Sequence, residues 1–240
     1  MASVCVCDDY FTVTASGELC LLPGRQGLRQ IMKFSGPGNY QFRKDNYPWL
    51  ARIRVRVQGA GGGAAGGRAS ADQLVANPGA AGGGYSESLL NVSALGPVET
   101  VIVGAGGDAG GPNSDGGNGG GSSFGGLVTA NGGAGGQAVM SSGTTGQCFS
   151  GTPGPLAGSG QNAMGGGAGG GALRLSGAQG LAGTGGEAYL GHGGYPRATT
   201  GGGGAGRGYG GGAAGGLARD GDSEDGTAGT DGVVIVELYG

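Results

Sequence analysis

The chain has a single histidine, His192, so a Ser-His-Asp or Cys-His system would have to be built on it. It lies in Leu190-Gly191-His192-Gly193-Gly194-Tyr195. A glycine loop offers nothing to lock an imidazole rotamer, and catalytic groups need a packed supporting layer. The four cysteines (Cys5, Cys7, Cys20, Cys148) include a Cys-x-Cys pair, but no second Cys/His pair completes a zinc site. Asp220, Asp222 and Glu224, with Asp231 further on, resemble a calcium loop. Asp225 stands where such a loop needs Gly, and the last ligand is not Glu. Val101 to Ala109 fits the strand-GxGxxA dinucleotide fingerprint, yet Gly110-Gly111-Pro112-Asn113 forbids the helix that would hold a pyrophosphate. Arg207-Gly208-Tyr209 resembles Arg/Gly segments that stack on RNA, but its arginines do not recur densely. The expectation is therefore a non-enzyme with no catalytic, cofactor or metal residues. What remains is a set of larger side chains placed singly in glycine: Tyr189, His192, Tyr195, Arg197, Arg207 and Tyr209. Tyr and Arg are favoured contact residues at recognition surfaces, so these six are candidate receptor contacts. The competing reading is that they merely end glycine segments.

The elements that would carry them are unusual. Of 240 residues 68 are Gly, against roughly 7% in ordinary proteins. Glycine loses more freedom on folding than any other residue, so such a chain folds only if something offsets that loss. Collagen is excluded, because 9 Pro and no lasting Gly-X-Y period are present. Clear strands frame the glycine: Arg52-Ile53-Arg54-Val55-Arg56-Val57 runs into Gly59-Ala60-Gly61-Gly62-Gly63, and Val233-Val234-Ile235-Val236-Glu237-Leu238 closes the chain. Alternation puts Ile53, Val55 and Val57 on a core face and the three arginines on the other. The net charge of −3 favours a solvated or subunit-facing arginine row over a nucleic-acid ridge. No apolar run approaches the roughly 18 residues of a membrane span. The start of the sequence has no basic segment followed by an apolar core, so no signal peptide is expected.

Further strands are predicted near 86–92, 100–103 and 127–130, with the last strand pairing an early one to satisfy its ladder. The glycine segments are predicted to form polyglycine II helices, left-handed, three residues per turn, with amides and carbonyls pointing at neighbouring segments. Turns such as Thr152-Pro153-Gly154-Pro155 would link them. The expected fold is all-β: a β-sandwich, jelly-roll-like, with an inserted bundle of polyglycine II helices and little or no α-helix. Residues 1–34 are of ordinary composition and read as an N-terminal attachment or oligomerisation segment, leaving 35–240 as the glycine-rich domain.

The pieces Ser35-Gly36-Pro37-Gly38-Asn39-Tyr40-Gln41-Phe42, Gly59 to Gly63, Gly82-Gly83-Gly84-Tyr85-Ser86-Glu87, Val103 to Gly107, Ser122-Ser123-Phe124-Gly125 and Gly226 to Val236 occur in order. Together they resemble the glycine-rich domain of bacteriophage minor tail and tail-fibre proteins, especially of phages that infect actinobacteria. The resemblance spans residues 35–240. It implies a virion protein of the phage tail tip or fibre, commonly a homotrimer, that meets other tail-tip proteins and recognises a glycan or protein on the bacterial surface. That family defines no catalytic residues to carry over; from the charge, the lack of an apolar run and the failed motifs, no cofactor, no nucleic-acid partner and no membrane insertion are expected. A purely structural virion component and a cellular glycine-rich surface or matrix protein are the alternatives.

Overall fold

The computed structural model describes residues 10–22 and 25–240. Cys5, Cys7 and the strand expected at 4–7 lie outside the described residues. The regular structure is nearly all strand, arranged in antiparallel sheets, with short 3-10 turns at Lys44–Asn46 and Val92–Ala94. Nine strands make two sheets: β1 (Leu28–Ser35), β2 (Gly38–Arg43), β3 (Arg52–Gln58), β4 (Tyr85–Asn91), β5 (Val98–Val103), β6 (Ser122–Phe124), β7 (Val128–Ala130), β8 (Asn162–Met164) and β9 (Val233–Tyr239). One sheet has the order β8-β4-β3-β9-β1 and the other β7-β6-β5-β2. Their inner faces share one core. Ile53, Val55 and Val57 meet Val234, Val236 and Leu238 on the first sheet, and Phe42, Val101, Phe124 and Val128 on the second. The alternation read from RIRVRV holds, and the last strand does pair an early one, since β9 lies between β3 and β1.

Most of the glycine segments join this sandwich at one end, and those at 182–187, 193–197, 202–206 and 211–216 turn there through the ladder of Gly191–His192 with Arg207–Gly208. The chain runs outward over 59–66, 104–111, 131–138, 165–171, 193–197 and 211–216, and returns over 77–84, 114–121, 150–158, 182–187, 202–206 and 225–232. Their hydrogen bonds repeat every three residues. The amides of Gly59 and Gly62 donate to Gly84 and Ala81, those of Ala60 and Gly63 to Gly120 and Gly117, and those of Gly61 and Ala64 to Thr230 and Thr227. Three segments (59–66, 77–84, 211–216) bond to one another, as in Gly62→Ala81, Ala80→Ala213 and Ala213→Gly62, and the others surround them. All residues of these three are buried. Their polar backbone is therefore satisfied by other segments instead of by water.

This closeness explains the composition. A Cβ at Gly79 would be driven into the Thr184 carbonyl oxygen, and one at Gly62 into that of Ala134. Alanine appears only where the array leaves room, as at Ala65, Ala80 and Ala214, which have no exposed surface.

Two expectations change. Thr152-Pro153-Gly154-Pro155 is no turn. It lies in the returning segment 150–158, where the Thr152 amide donates to Gly79 and its carbonyl accepts from Gly169. Pro153 is out of phase with Thr152 in the three-residue repeat and loses no inward bond, and the fixed φ of both prolines suits an extended chain. The boundary at residue 34 also moves. Residues 28–35 form β1, paired along its length with β9, and Met32 and Phe34 pack on the sandwich core. Among the described residues, the hairpin of Phe11–Val13 and Leu19–Leu21 is a separate two-stranded sheet apart from the two sandwich sheets.

At the far end of the array, short strands absent from the sequence reading tie the turns together: Leu74–Ala76 with Leu217–Arg219, and Gln147–Phe149, Ala172–Arg174 and Gly180–Leu181 in one small sheet. Leu74, Val75, Met140 and Leu217 form a second, smaller core there. Arg174 is buried beside it, with no carboxylate. Its guanidinium donates to the carbonyls of Leu74, Ser141 and Thr145 and to Gln147 Oε1.

Gly79→Ala is expected to destabilise the protein by about 3 kcal/mol or more, because backbone and not side chain stands in the way. Gly111→Ala, whose Cβ meets nothing within 4 Å, should stay within about 0.5 kcal/mol of wild type. Chemical denaturation of the two variants checks this. Deletion of residues 1–27 should leave the sandwich folded, whereas deletion of 1–34 removes β1 and should abolish the cooperative thermal transition.

Candidate functional site

The outer face of the five-stranded sheet collects most of the chemistry-bearing side chains. Because Ile53, Val55 and Val57 point inward, Arg52, Arg54 and Arg56 stand outward on β3. The same parity puts Glu87 of β4 and Glu237 and Tyr239 of β9 beside them. Arg54 donates to Glu87 Oε2 at 2.8 Å, and Arg56 to Glu237 Oε1 at 2.7 Å. Each pair is diagonal across the ladder, where long side chains still reach. Arg52 lies 5.5 Å from the Tyr239 ring centroid, a cation–π distance. The arginine row is thus largely neutralised within its own sheet.

Glu87 is the hub of this network. It also accepts from Asn162 Nδ2 of β8 at 3.0 Å and from the Tyr85 hydroxyl at 3.0 Å. These donors, Asn162 first and then Arg54 and Tyr85, hold its carboxyl below the ordinary range against the opposing effect of burial. Burial, together with the bond to Glu87, pushes the Tyr85 phenol strongly up. The hydroxyl of Tyr239 donates to Glu237 at 2.8 Å, which raises that phenol too, and the bond to Glu87 raises Arg54.

Four of the six candidates gather where this face meets the array. Tyr189 is 62% exposed and stacks on Tyr85, ring centroids 4.1 Å apart. His192 and Arg207 are cross-strand partners on a two-residue ladder, and His192 Nδ1 lies 3.1 Å from Glu187 Oε2. Tyr209 sits with its ring centroid 5.0 Å from Lys33 Nζ of β1. Its amide donates to Leu190, whose own amide donates to Gln58 Oε1 of β3, so the two loops are pinned to the sheet. Tyr195 and Arg197 are elsewhere. They pair with each other at 5.8 Å on the outward segment, and the Arg197 carbonyl accepts from Ala182 next to the distal strand Gly180–Leu181.

Sequence reasoning missed Tyr85, Glu87, Asn162, Glu237 and Tyr239. The signal was present: an outward arginine row beside strands reading YSESLLN and VVIVELY puts Glu87 and Glu237 on the face that needs counter-charge. Asn162 gave none, since its strand is three residues long within Gly-rich sequence.

The motifs weighed for other chemistry are dispersed. Residues 104–111 of the dinucleotide-like stretch form an extended array segment after β5. Asp220 and Asp222 sit at the distal tip, whereas Asp231 accepts from the Gly106 amide toward the sandwich. Cys20 and Cys148 are exposed thiols. Among the described residues no group of three His, Cys, Asp or Glu side chains is placed to hold a metal ion.

A family model described as a glycine-rich domain matches residues 38–239, from the start of β2 to the end of β9. No curated protein matches the chain.

The network predicts an acid-labile sheet. Glu87 stays ionised to lower pH in the fold than in the unfolded chain, so its donors stabilise the protein above the ordinary glutamate range. That contribution is lost as pH falls through that range and below it. Glu87→Gln should cost about 1–2 kcal/mol at neutral pH, and its thermal midpoint should fall less than that of wild type between neutral and acid pH.

Proposed function

The chain belongs to the glycine-rich domain family, and from the resemblance of its ordered glycine-rich pieces to phage tail proteins we propose that it is a non-enzymatic recognition protein of a phage tail. In this reading it is a minor tail protein at the tail tip or on a tail fibre. It assembles as a homotrimer, attaches to other tail-tip proteins, and touches a glycan or protein on the bacterial envelope. It takes no cofactor, binds no nucleic acid and does not insert into a membrane. The array segments are read as polyglycine II helices, which the three-residue hydrogen-bond repeat supports.

One observation carries the reading. The interior of the array has no space for side chains, so every recognition group must sit on the rim or the tip. A rigid body of fixed interior and variable edge suits a protein that must change its target without refolding. The corner where Tyr189, His192, Arg207 and Tyr209 meet the charge-paired sheet supplies an exposed aromatic plane beside fixed donors and acceptors, the mix that recognition surfaces favour. The N-terminal hairpin supports the attachment half of the proposal. Val13, Leu19 and Leu21 are exposed on a two-stranded ribbon, which is marginal alone.

Labelled protein should bind intact actinobacterial cells saturably, as a trimer by light scattering, and lose binding when surface polysaccharide is stripped. Tyr189→Ala should weaken binding by about 1–2 kcal/mol, with only a small fall in the thermal midpoint from the lost stack on Tyr85. A folded trimer that ignores the cells would leave a purely structural tail component as the better reading.

A further inference from the structure

The distal tip carries a groove that none of the six candidates lines. One part, a cleft of about 560 Å³, is walled by Asp72, Asp220, Arg219, Thr144 and Ser176. It continues, across the shared Ala178 and Arg219, into a second part of about 650 Å³ walled by Leu173, Leu175 and Leu181. The small sheet explains the apolar wall. Leu173 and Leu181 are cross-strand partners on one face, while Arg174 turns to the other and is buried. The three leucines are 40%, 62% and 44% exposed, so the wall is open.

The polar part is fixed by backbone. Asp72 and Asp220 both hold left-handed backbone conformations, φ 57° and 52°, which non-glycine residues rarely adopt and which gather where a structure over-determines them. The Asp72 amide donates to Asp220 Oδ1 at 3.2 Å, and the Asp220 amide to the Gln73 carbonyl. The loop around Gly177 packs on the Asp72 carbonyl and the Thr144 methyl. Among the described residues, none of Asp72, Asp220 and Arg219 forms an ion pair. One end of the groove thus presents carboxylates, the middle a guanidinium, and the other end aliphatic carbon. No aromatic ring lines either part, which sets it apart from the tyrosine-rich corner at the sandwich.

We propose that this groove binds a short aliphatic peptide with free termini. The ammonium pairs with Asp72 and Asp220, the carboxylate with Arg219, and the side chains lie along Leu173, Leu175 and Leu181. Each part by itself has the size of a small-ligand site. The assignment rests on charge complementarity and the aliphatic wall, and it holds whether or not the protein belongs to a virion.

The test is a methyl NMR titration of the full chain with the tripeptide Leu-Ala-Leu in free, N-acetylated and C-amidated forms. The free peptide should shift the methyls of Leu173, Leu175 and Leu181 saturably. Each cap should weaken binding about twofold to fivefold, the range of an exposed ion pair. Asp220→Asn should shrink the acetylation effect and Arg219→Gln the amidation effect, with unchanged thermal midpoints, since these side chains are exposed. The proposal is overturned if these methyls do not respond, if capped and free peptides bind alike, or if the same methyls shift on dilution alone, which would put a second copy of the chain in the groove. Because no cells are involved, a negative result leaves the envelope-binding reading standing, and failure of cell binding leaves this one standing.

Discussion

The structure depends on one constraint: backbone groups removed from water must find partners when there are almost no side chains to provide them. In segments 59–66, 77–84 and 211–216 every residue is buried, and amides turn in succession to different neighbours. A net contribution of about 0.5–1.5 kcal/mol per bond is small against the ordering of a glycine. The bonds succeed together because each segment serves several others, and because glycine lets carbonyls approach closely enough for Cα–H···O contacts to add to them. Removing side chains is therefore the condition of the fold. A single Cβ at Gly79 would break several bonds at once, because the obstructing atom is itself backbone.

Such an array cannot hold itself in register by hydrophobic packing, so the two ends do that. At one end the sandwich strands fix where many segments begin or end, through β3, β5, β7 and β8 going out and β4, β6 and β9 coming back. The ion-paired outer face stiffens the same sheet: Arg54, Glu87, Asn162 and Tyr85 link β3, β4 and β8, and Arg56 with Glu237 links β3 to β9. These pairs are partly shielded from water, which makes them worth more than surface pairs of the same length.

The strand alternation of RIRVRVQ, the framing of glycine by strands and the pairing of the last strand with an early one were legible, because period-two burial is written directly in residue type. So was the lack of a helix after Val103, where residues 104–111 are extended ahead of Pro112. Less legible was everything that depends on which segment neighbours which. Polyglycine has no side-chain pattern, so Thr152 to Pro155 reads as a turn although it is an extended segment, and Leu28 to Ser35 reads as part of an appendage although β9 requires it as a partner. The same gap hid half of the candidate surface. Tyr189 and Tyr209 are conspicuous in glycine, but Tyr85 and Lys33, which they contact, look like ordinary strand residues.

Arg174 shows how the distal end solves what the array cannot. A buried charge is normally tolerated only with an opposite charge beside it. Here the carbonyls of Leu74, Ser141 and Thr145 and the side-chain oxygen of Gln147 take that place. Carbonyl oxygens are what turn-rich glycine sequence has in surplus, and a planar guanidinium with several fixed donors can gather them from separate loops at once, which a lysine cannot. The loop at 141–147 is thereby fastened to the strand at Leu74, next to Asp72 and Thr144. This one long side chain adds to the small core and short strands that shape the tip, and its edges stay free to carry exposed residues.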